Sequence, residues 1–269
     1  MIPYAEVIGH PIGHSKSPLI HQFWLDRLGI VARYQACDIV PEKLADYFAE
    51  RRDDAAWRGC NITIPHKIAA LEHVADPGEV RNSIGAINVV FRNEAGVLTG
   101  TNSDAGGFYG PISDVSLVGE TVVVVGSGGA ARAVLFALAQ ADVGEVVILA
   151  RNALRAAGVL AHFGLKGRVL PIDARLPEAA MLVNASPLGM KGQDPLVLDL
   201  SPLADDALVY DLVYAPVETG LLKAAHARNL EAVDGLEMLV GQAAIAFELF
   251  FGVAPPNDGE DELRAKLLA

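Results

Sequence analysis

Cysteine is nearly missing from this chain: Cys37 and Cys60 are the only two in 269 residues. Two cysteines make neither a disulfide framework nor a metal-binding cluster, and they suit a reducing compartment such as the cytoplasm. Positive charge is also short, with 21 Lys and Arg against 33 Asp and Glu and a net charge of −12. A nucleic-acid surface needs clustered cations, so this balance argues against one. Aromatic residues make up 6% of the chain, which speaks against an aromatic-rich binding module. Apolar runs such as TVVVVG fall far short of the roughly 20 residues that span a bilayer. The start, MIPYAEVIGHPIGHSK, lacks a basic stretch followed by a long apolar one, so no signal peptide is expected. There are no internal repeats and no low-complexity segment, and nothing in the residue set predicts a metal.

What is abundant is Ala, Val, Leu and Gly, and 52% of the residues are hydrophobic. A chain of this length divides into one large domain or two of about 100–150 residues. The first part alternates strand-like and helix-like patterns. AEVIGH reads as a strand, and Ser17-Pro18 opens a helical segment, PLIHQFWLDRLG, with Ser17 as its cap. VARYQACDI is strand-like, and PEKLADYFAERRD is an amphipathic helix opening at Pro41. WRGCNITI gives another strand and a short helix follows from His66 towards His73. GAINVVFR and GVLTGTN form a hairpin pair, with Asn88 inside the first strand. GTNSDAGGFYGPI is a Gly-rich crossing. Beyond it ETVVVVG, EVVILA, AMLVNAS, ALVYDLVY and LEAVDG supply strands, with helices between them. That alternation predicts a doubly wound parallel sheet. The fold expected is therefore α/β: an N-terminal α/β domain over 1–104, completed by 237–269, and a Rossmann dinucleotide-binding domain over 105–236. The apolar helix LEMLVGQAAIAFELFFG is expected to pack back on the first domain.

VVVVGSGGAARAV places Gly126, Gly128 and Ala131 at G-x-G-x-x-A spacing between a buried-type strand and a helix. Gly126 permits the tight turn, Gly128 lets backbone N–H groups approach a pyrophosphate, and Ala131 keeps helix and strand close. An NAD site usually carries Asp or Glu about 20 residues further on. Here EVVILA ends in Ala150, followed by Arg151, Asn152 and Arg155. Guanidinium groups bind phosphate oxygens with paired donors, so NADP is expected over NAD.

GHPIGHSKSPLIHQFW crowds polar groups into one turn. A helix start accounts for Ser17 and leaves Ser15, Lys16 and three histidines over; two hydroxyls at a helix N-terminus could hold one carboxylate. Elsewhere GCNITIPHK brings Asn61, Thr63 and Lys67, GAINVV brings Asn88, GTNSDAGG brings Asp104 and GQAAIAF brings Gln242. Singly, each serves equally as a cap, a turn former or a buried hydrogen-bonding group. Together they describe a cleft with one ammonium, one carboxylate, amides and hydroxyls, suited to a small polyhydroxylated acid.

These motifs resemble those of the shikimate dehydrogenases. GHPIGHSKSPLIH looks like that family's signature for the substrate carboxylate, and GCNITIPHK like the segment carrying its catalytic lysine. IGAINVV resembles G-A-V-N-T and GTNSDAGGF resembles G-x-N-T-D-x-x-G, while GSGGAAR, NASPLGM, YDLVYAP and EMLVGQAAIAFELF follow in order. The resemblance implies that Lys67 and Asp104 are the acid/base pair and that Ser15 and Ser17 bind the substrate carboxylate. It implies that Asn61, Thr63, Asn88, Asp104 and Gln242 bind ring hydroxyls, with Tyr214 nearby. NADP would be held by Gly126, Ser127, Gly128, Gly129 and Ala130 and by Ala150, Arg151, Asn152 and Arg155. Leu212, Gly235 and Met238 would lie near the nicotinamide. The activity implied is reversible NADPH-dependent reduction of 3-dehydroshikimate, by a cytoplasmic monomer or homodimer that binds neither nucleic acid nor membrane. Ala150 and Asn152 replace the first and third residues of the usual N-R-T, Val89 stands for a frequent Thr and Gln22 for a frequent Asn. These departures keep open a quinate/shikimate dehydrogenase with relaxed cofactor use. A separate rival, a non-catalytic dinucleotide sensor on the same fold, predicts erosion of the acid/base pair, yet Lys67 and Asp104 are both present.

Overall fold

A computed structural model describes residues 1–269, which divide into two units: Met1–Gly107 with Val240–Ala269, and Phe108–Leu239. In the first unit the chain runs β1 (Tyr4–Gly9), α1 (Ser17–Arg27), β2 (Arg33–Asp38), α2 (Leu44–Asp53), β3 (Trp57–Ile62), α3 (Val80–Ser83), β4 (Val89–Arg92) and β5 (Leu98–Thr101). The Gly-rich crossing folds as α4 (Asp104–Tyr109). In sheet order β2-β1-β3-β4-β5, the first three strands are parallel, and β4 runs antiparallel to both β3 and β5.

Helix α1 begins one residue earlier than the sequence reading expects. Lys16 is its N-cap, Ser17 is already helical and Pro18 follows within the first turn. The hydroxyl that accepts from this end, 3.3 Å from the Ser17 N–H, belongs to Ser15 rather than Ser17. Lys16 already has helical φ and ψ of −87° and −7°, which moves the cap back by one position.

The second unit runs β6 (Thr121–Val125), α5 (Gly129–Gln140), β7 (Glu145–Leu149), α6 (Ala153–His162), β8 (Gly167–Leu170), β9 (Met181–Asn184), β10 (Leu208–Asp211), α7 (Gly220–Ala227) and β11 (Glu231–Val233). Its six strands are all parallel, in the order β11-β10-β9-β6-β7-β8. Counted from β6, this is the doubly wound order whose direction of winding reverses between β6 and β9, where such sheets bind ligands beyond the strands' carboxyl ends. The valines of β6 show why it reads as one apolar run: Val122 and Val124 face one core cluster, Val123 and Val125 the other. Strands covered on both faces lose polar alternation. Strand β8 is not anticipated by the sequence reading. It is a short edge strand whose Gly167-Arg168 half is exposed, so no apolar run marks it.

Helix α8 (Gly235–Phe251) starts in the second unit, and its part from Val240 onward belongs to the first, followed by α9 (Glu260–Leu268). There Phe247 meets Trp24 edge-on at 5.4 Å, and the His21 ring lies between Tyr34 and Phe247. No helix is long and apolar enough to cross a membrane.

Candidate active site

Adjacent parallel strands β1 and β3 end together, with Ile8 opposite Ile62. The chain leaves β3 held to β1, because the Thr63 N–H donates to Ile8 O at 2.9 Å. Thr63 is half-buried, its methyl packed over Gly9. His66 anchors the turn by its ring nitrogen, 2.6 Å from Ile39 O. Lys67 is then fixed by its own carbonyl, which accepts from Ile87 N–H at 2.8 Å, next to Asn88. Asn88 itself precedes β4 by one residue, where the sequence reading places it inside the strand. It still continues the sheet, since Ile62 N–H donates to Asn88 O at 2.7 Å.

Lys67 Nζ donates to Asp104 Oδ2 in an ion pair whose side chains are only 15% and 6% exposed. The other carboxylate oxygen, Oδ1, accepts from Asn88 Nδ2 at 2.8 Å. That amide also donates to Ser103 Oγ at 2.9 Å and to Gln242 Oε1 at 3.3 Å. Its oxygen accepts from the Ser103 backbone N–H at 2.7 Å, which fixes which end of the amide is which. Asn61 Nδ2 reaches the same Gln242 oxygen at 3.3 Å. Lys67, Asp104, Asn61, Asn88 and Gln242 therefore share one network, assembled from β3, the turn after it, the residue before β4, α4 and α8. Exposure of 7% or less for Asn61, Asn88, Asp104 and Gln242 makes these bonds firm, because a buried polar group without a partner is costly.

The opening loop follows β1 and so leaves the sheet beside these groups. Ser15 is half-buried and Ser17 is buried at the start of α1. The remaining polar residues of that loop have separate explanations. Lys16 Nζ donates to the carbonyl of Leu267 near the end of α9, where a cation complements the helix dipole. His10 pairs with Asp38 at 2.6 Å, His14 is exposed, and His21 is fully buried among aromatic rings, with both ring nitrogens lacking a partner. Burial pushes the His21 imidazole down to about 3.

In the second unit Gly126 has φ +105°, a left-handed value that favours glycine, and a Cβ there would stand 3.1 Å from Ala185 O. Ser127, Gly129 and Ala130 are half-buried around the start of α5, whose N-cap is the extended Gly128. Ala131 is wholly buried, as the close helix–strand contact requires. Beyond β7, Ala150 is buried, while Arg151, Asn152 and Arg155 are exposed. Asn152 caps α6, its Oδ1 accepting from the Arg155 N–H at 2.9 Å. Arg132, on the first turn of α5, was not among the expected residues. Burial, and then the charge of Arg155, hold its guanidinium below the ordinary arginine range. The signal lay in its position four residues beyond Gly128, in the first turn of the helix that follows the glycine turn.

Leu212 and Gly235 do come together: a Cβ on Gly235 would lie 2.6 Å from Leu212 O, an approach only glycine allows. Their support is a buried network missed by the sequence reading. Asp211 accepts from Thr219 Oγ1 at 2.6 Å, Asn184 Nδ2 at 2.9 Å and Val213 N at 3.0 Å. Burial is the largest influence on the Asp211 carboxyl and raises it. Tyr214 follows, half-buried, its phenol raised by burial. Met238 is packed in the core cluster that also holds Tyr210.

Comparison with known proteins agrees with the motifs. A family model for the shikimate dehydrogenase substrate binding domain matches residues 7–90, and one for the shikimate 5'-dehydrogenase C-terminal domain matches residues 235–264. A shikimate dehydrogenase (NADP(+)) of Sphingopyxis alaskensis is 61% identical over 99% of this chain and 97% of its own. The crystal structure of shikimate 5-dehydrogenase from Thermus thermophilus in complex with NADP(H) and shikimate is 37% identical, with TM-score 0.87, covering 99% of this chain and 100% of that one. Ligand-free 5-ketofructose reductase of Gluconobacter sp. strain CHM43 reaches the same TM-score of 0.87 at 29% identity, over 100% of this chain and 98% of its own, so the fold alone does not name a substrate. With 61% identity along nearly its whole length to one member, and both family domains matched, this chain belongs to the shikimate dehydrogenase family.

Proposed function

We propose that the protein is a shikimate dehydrogenase, catalysing the reversible NADPH-dependent reduction of 3-dehydroshikimate to shikimate. The observation that carries this reading is the Lys67–Asp104 ion pair tied to three buried amides in a chain of this family. We assign substrate binding to residues 1–104 with 237–269 and dinucleotide binding to 105–236. We take it to work as a monomer or a homodimer. Its setting would be the cytoplasm.

The dinucleotide-binding residues fit NADP. The turn Gly126–Ala130 presents backbone N–H groups at the N-terminus of α5, a favourable place for a pyrophosphate. No carboxylate follows β7 to claim a ribose 2'-hydroxyl, and Arg151 and Arg155, with Arg132, offer guanidinium donors to a 2'-phosphate. Leu212, Gly235 and Met238 would flank the nicotinamide. Bound NADPH supplies the hydride.

The chain's own residues handle orientation and the proton. Ser15 and Ser17 hydroxyls, at the start of α1, would hold the substrate carboxylate. Asn61, Thr63, Asn88 and Gln242 would bind ring hydroxyls and thereby set which carbon is presented. Lys67 Nζ would give a proton to the carbonyl oxygen as it becomes a hydroxyl, and take it back in the oxidation direction. Asp104 holds the Lys67 ammonium in place, and is itself held by Asn88.

One observation favours broader cofactor use. Ala150 has no polar group, and Asn152 turns its side-chain oxygen to the cap of α6, so beside the arginines only the Asn152 NH2 group is left to donate to a 2'-phosphate. Steady-state rates with shikimate and quinate, each with NADP and NAD, test both points. The expected result is highest kcat/KM for shikimate with NADP. Cofactor binding without shikimate-dependent reduction would overturn the assignment in favour of a sensor, and a quinate rate equal to that of shikimate would favour the quinate/shikimate reading.

A further inference from the structure

We infer that Tyr34 is a positioning residue for the substrate: its hydroxyl locks the Asn61 carboxamide in the one orientation that presents its NH2 group to Gln242 and the substrate pocket. This rests on the reading of Asn61 and Gln242 as substrate-binding amides. Tyr34 lies on β2, two strands away from Asn61 on β3, and is only 5% exposed. Its OH donates to Asn61 Oδ1 at 2.6 Å. The phenol is held well above its ordinary range, chiefly by burial, and so remains a proton donor. Its ring cannot swing away. The His21 imidazole stacks on it with centroids 3.9 Å apart and planes within 2°, and Phe250 flanks it at 6.4 Å. His21 offers no competing bond, since neither of its ring nitrogens has a partner.

The polarity of the whole network follows from its two ends. At one end the Ser103 backbone N–H can only donate, which turns Asn88 Oδ1 towards it and Asn88 Nδ2 towards Gln242 Oε1. At the other end the Tyr34 hydroxyl donates to Asn61 Oδ1, which turns Asn61 Nδ2 towards the same Gln242 oxygen. A flipped Asn61 would set its oxygen against Gln242 Oε1 and leave the phenol proton without an acceptor. Side-chain amides flip readily unless their partners forbid it. Without the Tyr34 hydroxyl, Asn61 Oδ1 loses its donor and the orientation of the carboxamide rests on the 3.3 Å bond to Gln242 alone, so Gln242 holds its second donor less firmly.

The test is a double-mutant cycle with Tyr34→Phe and Asn61→Ala, read by steady-state kinetics and by the side-chain amide signals of the substrate-free protein. Tyr34→Phe keeps the stacked ring and removes only the hydroxyl. It should lower kcat/KM for shikimate about tenfold, the scale of one buried hydrogen bond, while KM for NADP stays unchanged. In the Asn61→Ala background the same change should have little further effect, because its route is gone. In 15N-labelled protein, Tyr34→Phe should move the side-chain NH2 signals of both Asn61 and Gln242, with Asn61 assigned by its loss in Asn61→Ala. An equal loss of kcat/KM in both backgrounds would show a merely structural tyrosine and overturn the proposal. Unmoved amide signals would do the same without reference to any substrate. Absence of shikimate turnover in the wild type would instead count against the function, and the amide spectrum would still decide the role of Tyr34.

Discussion

His21 should make the fold acid-sensitive by a calculable amount. Its imidazole is fully buried, neither nitrogen has a hydrogen-bond partner, and burial lowers it to about 3. In the unfolded chain a histidine takes up its proton near pH 6.5, whereas in the folded chain it does so only near 3. Protons therefore bind the unfolded state first. The stability that neutral His21 contributes is complete above pH 6.5, shrinks as pH falls, and stops shrinking near 3. With 1.36 kcal/mol per pH unit of difference, moving from about pH 8 to about pH 5 should cost about 2 kcal/mol through this one group. The assay is urea unfolding at those two pH values for the wild type and for His21→Phe, which keeps a flat ring on Tyr34. Other acid-sensitive groups affect both proteins alike, so the difference of differences isolates His21. The wild type should lose about 2 kcal/mol more than the variant on acidification. Equal losses would mean that His21 is hydrated or partnered in solution, and the reasoning from burial would fail.

Lys67→Ala should cut turnover at least about a hundredfold while leaving NADP binding, followed by fluorescence titration, within a few-fold; a variant with wild-type kcat would remove Lys67 from the proton path. Arg51→Ala should destabilise by about 3 kcal/mol in urea unfolding, because it strips fully buried Glu6 of its guanidinium partner at 2.9 Å. Adding Glu6→Gln should recover part of that loss, and no recovery would show that Arg51 acts by packing on Tyr47. Gly126→Ala puts a side chain at φ +105° close to Ala185 O, and calorimetry should show both lower stability and weaker NADP binding. Arg155→Ala should raise KM for NADP and leave KM for NAD unchanged, narrowing the preference between them; equal effects on the two cofactors would refute a contact with the 2'-phosphate.

Much of the fold was legible because its signals are local. The valine run of β6, the turn at Gly126 and the Pro-marked start of α1 are set by neighbours a few positions away. The errors are local too, and instructive. Edge strand β8 carries no apolar run because half of it faces water. Asn88 reads as part of a strand because it sits in an apolar sequence, yet it stands just before β4, with its side chain bound to Ser103 and Asp104. Glu6, in the middle of an apolar strand, was a visible signal of a buried charge, but nothing in the sequence pointed to Tyr47, Arg51 and Gln35 as its partners. Tyr34 was equally hidden: its partner Asn61 is on β3, and β1 lies between their strands.

By itself the amino-acid order determined the α/β class, the two sets of alternating elements, the dinucleotide turn and the inventory of groups able to hold a small hydroxy acid. Hydrophobic period, glycine placement and side-chain chemistry act over a few residues, and so are written in the chain directly. Which polar groups meet was decided only in three dimensions. Lys67 finds Asp104, Asn61 and Asn88 converge on Gln242, and Lys16 turns away to a carbonyl near the chain's end. Burial is the physical reason: once water is excluded, each donor must take the acceptor that packing places beside it, however distant in sequence.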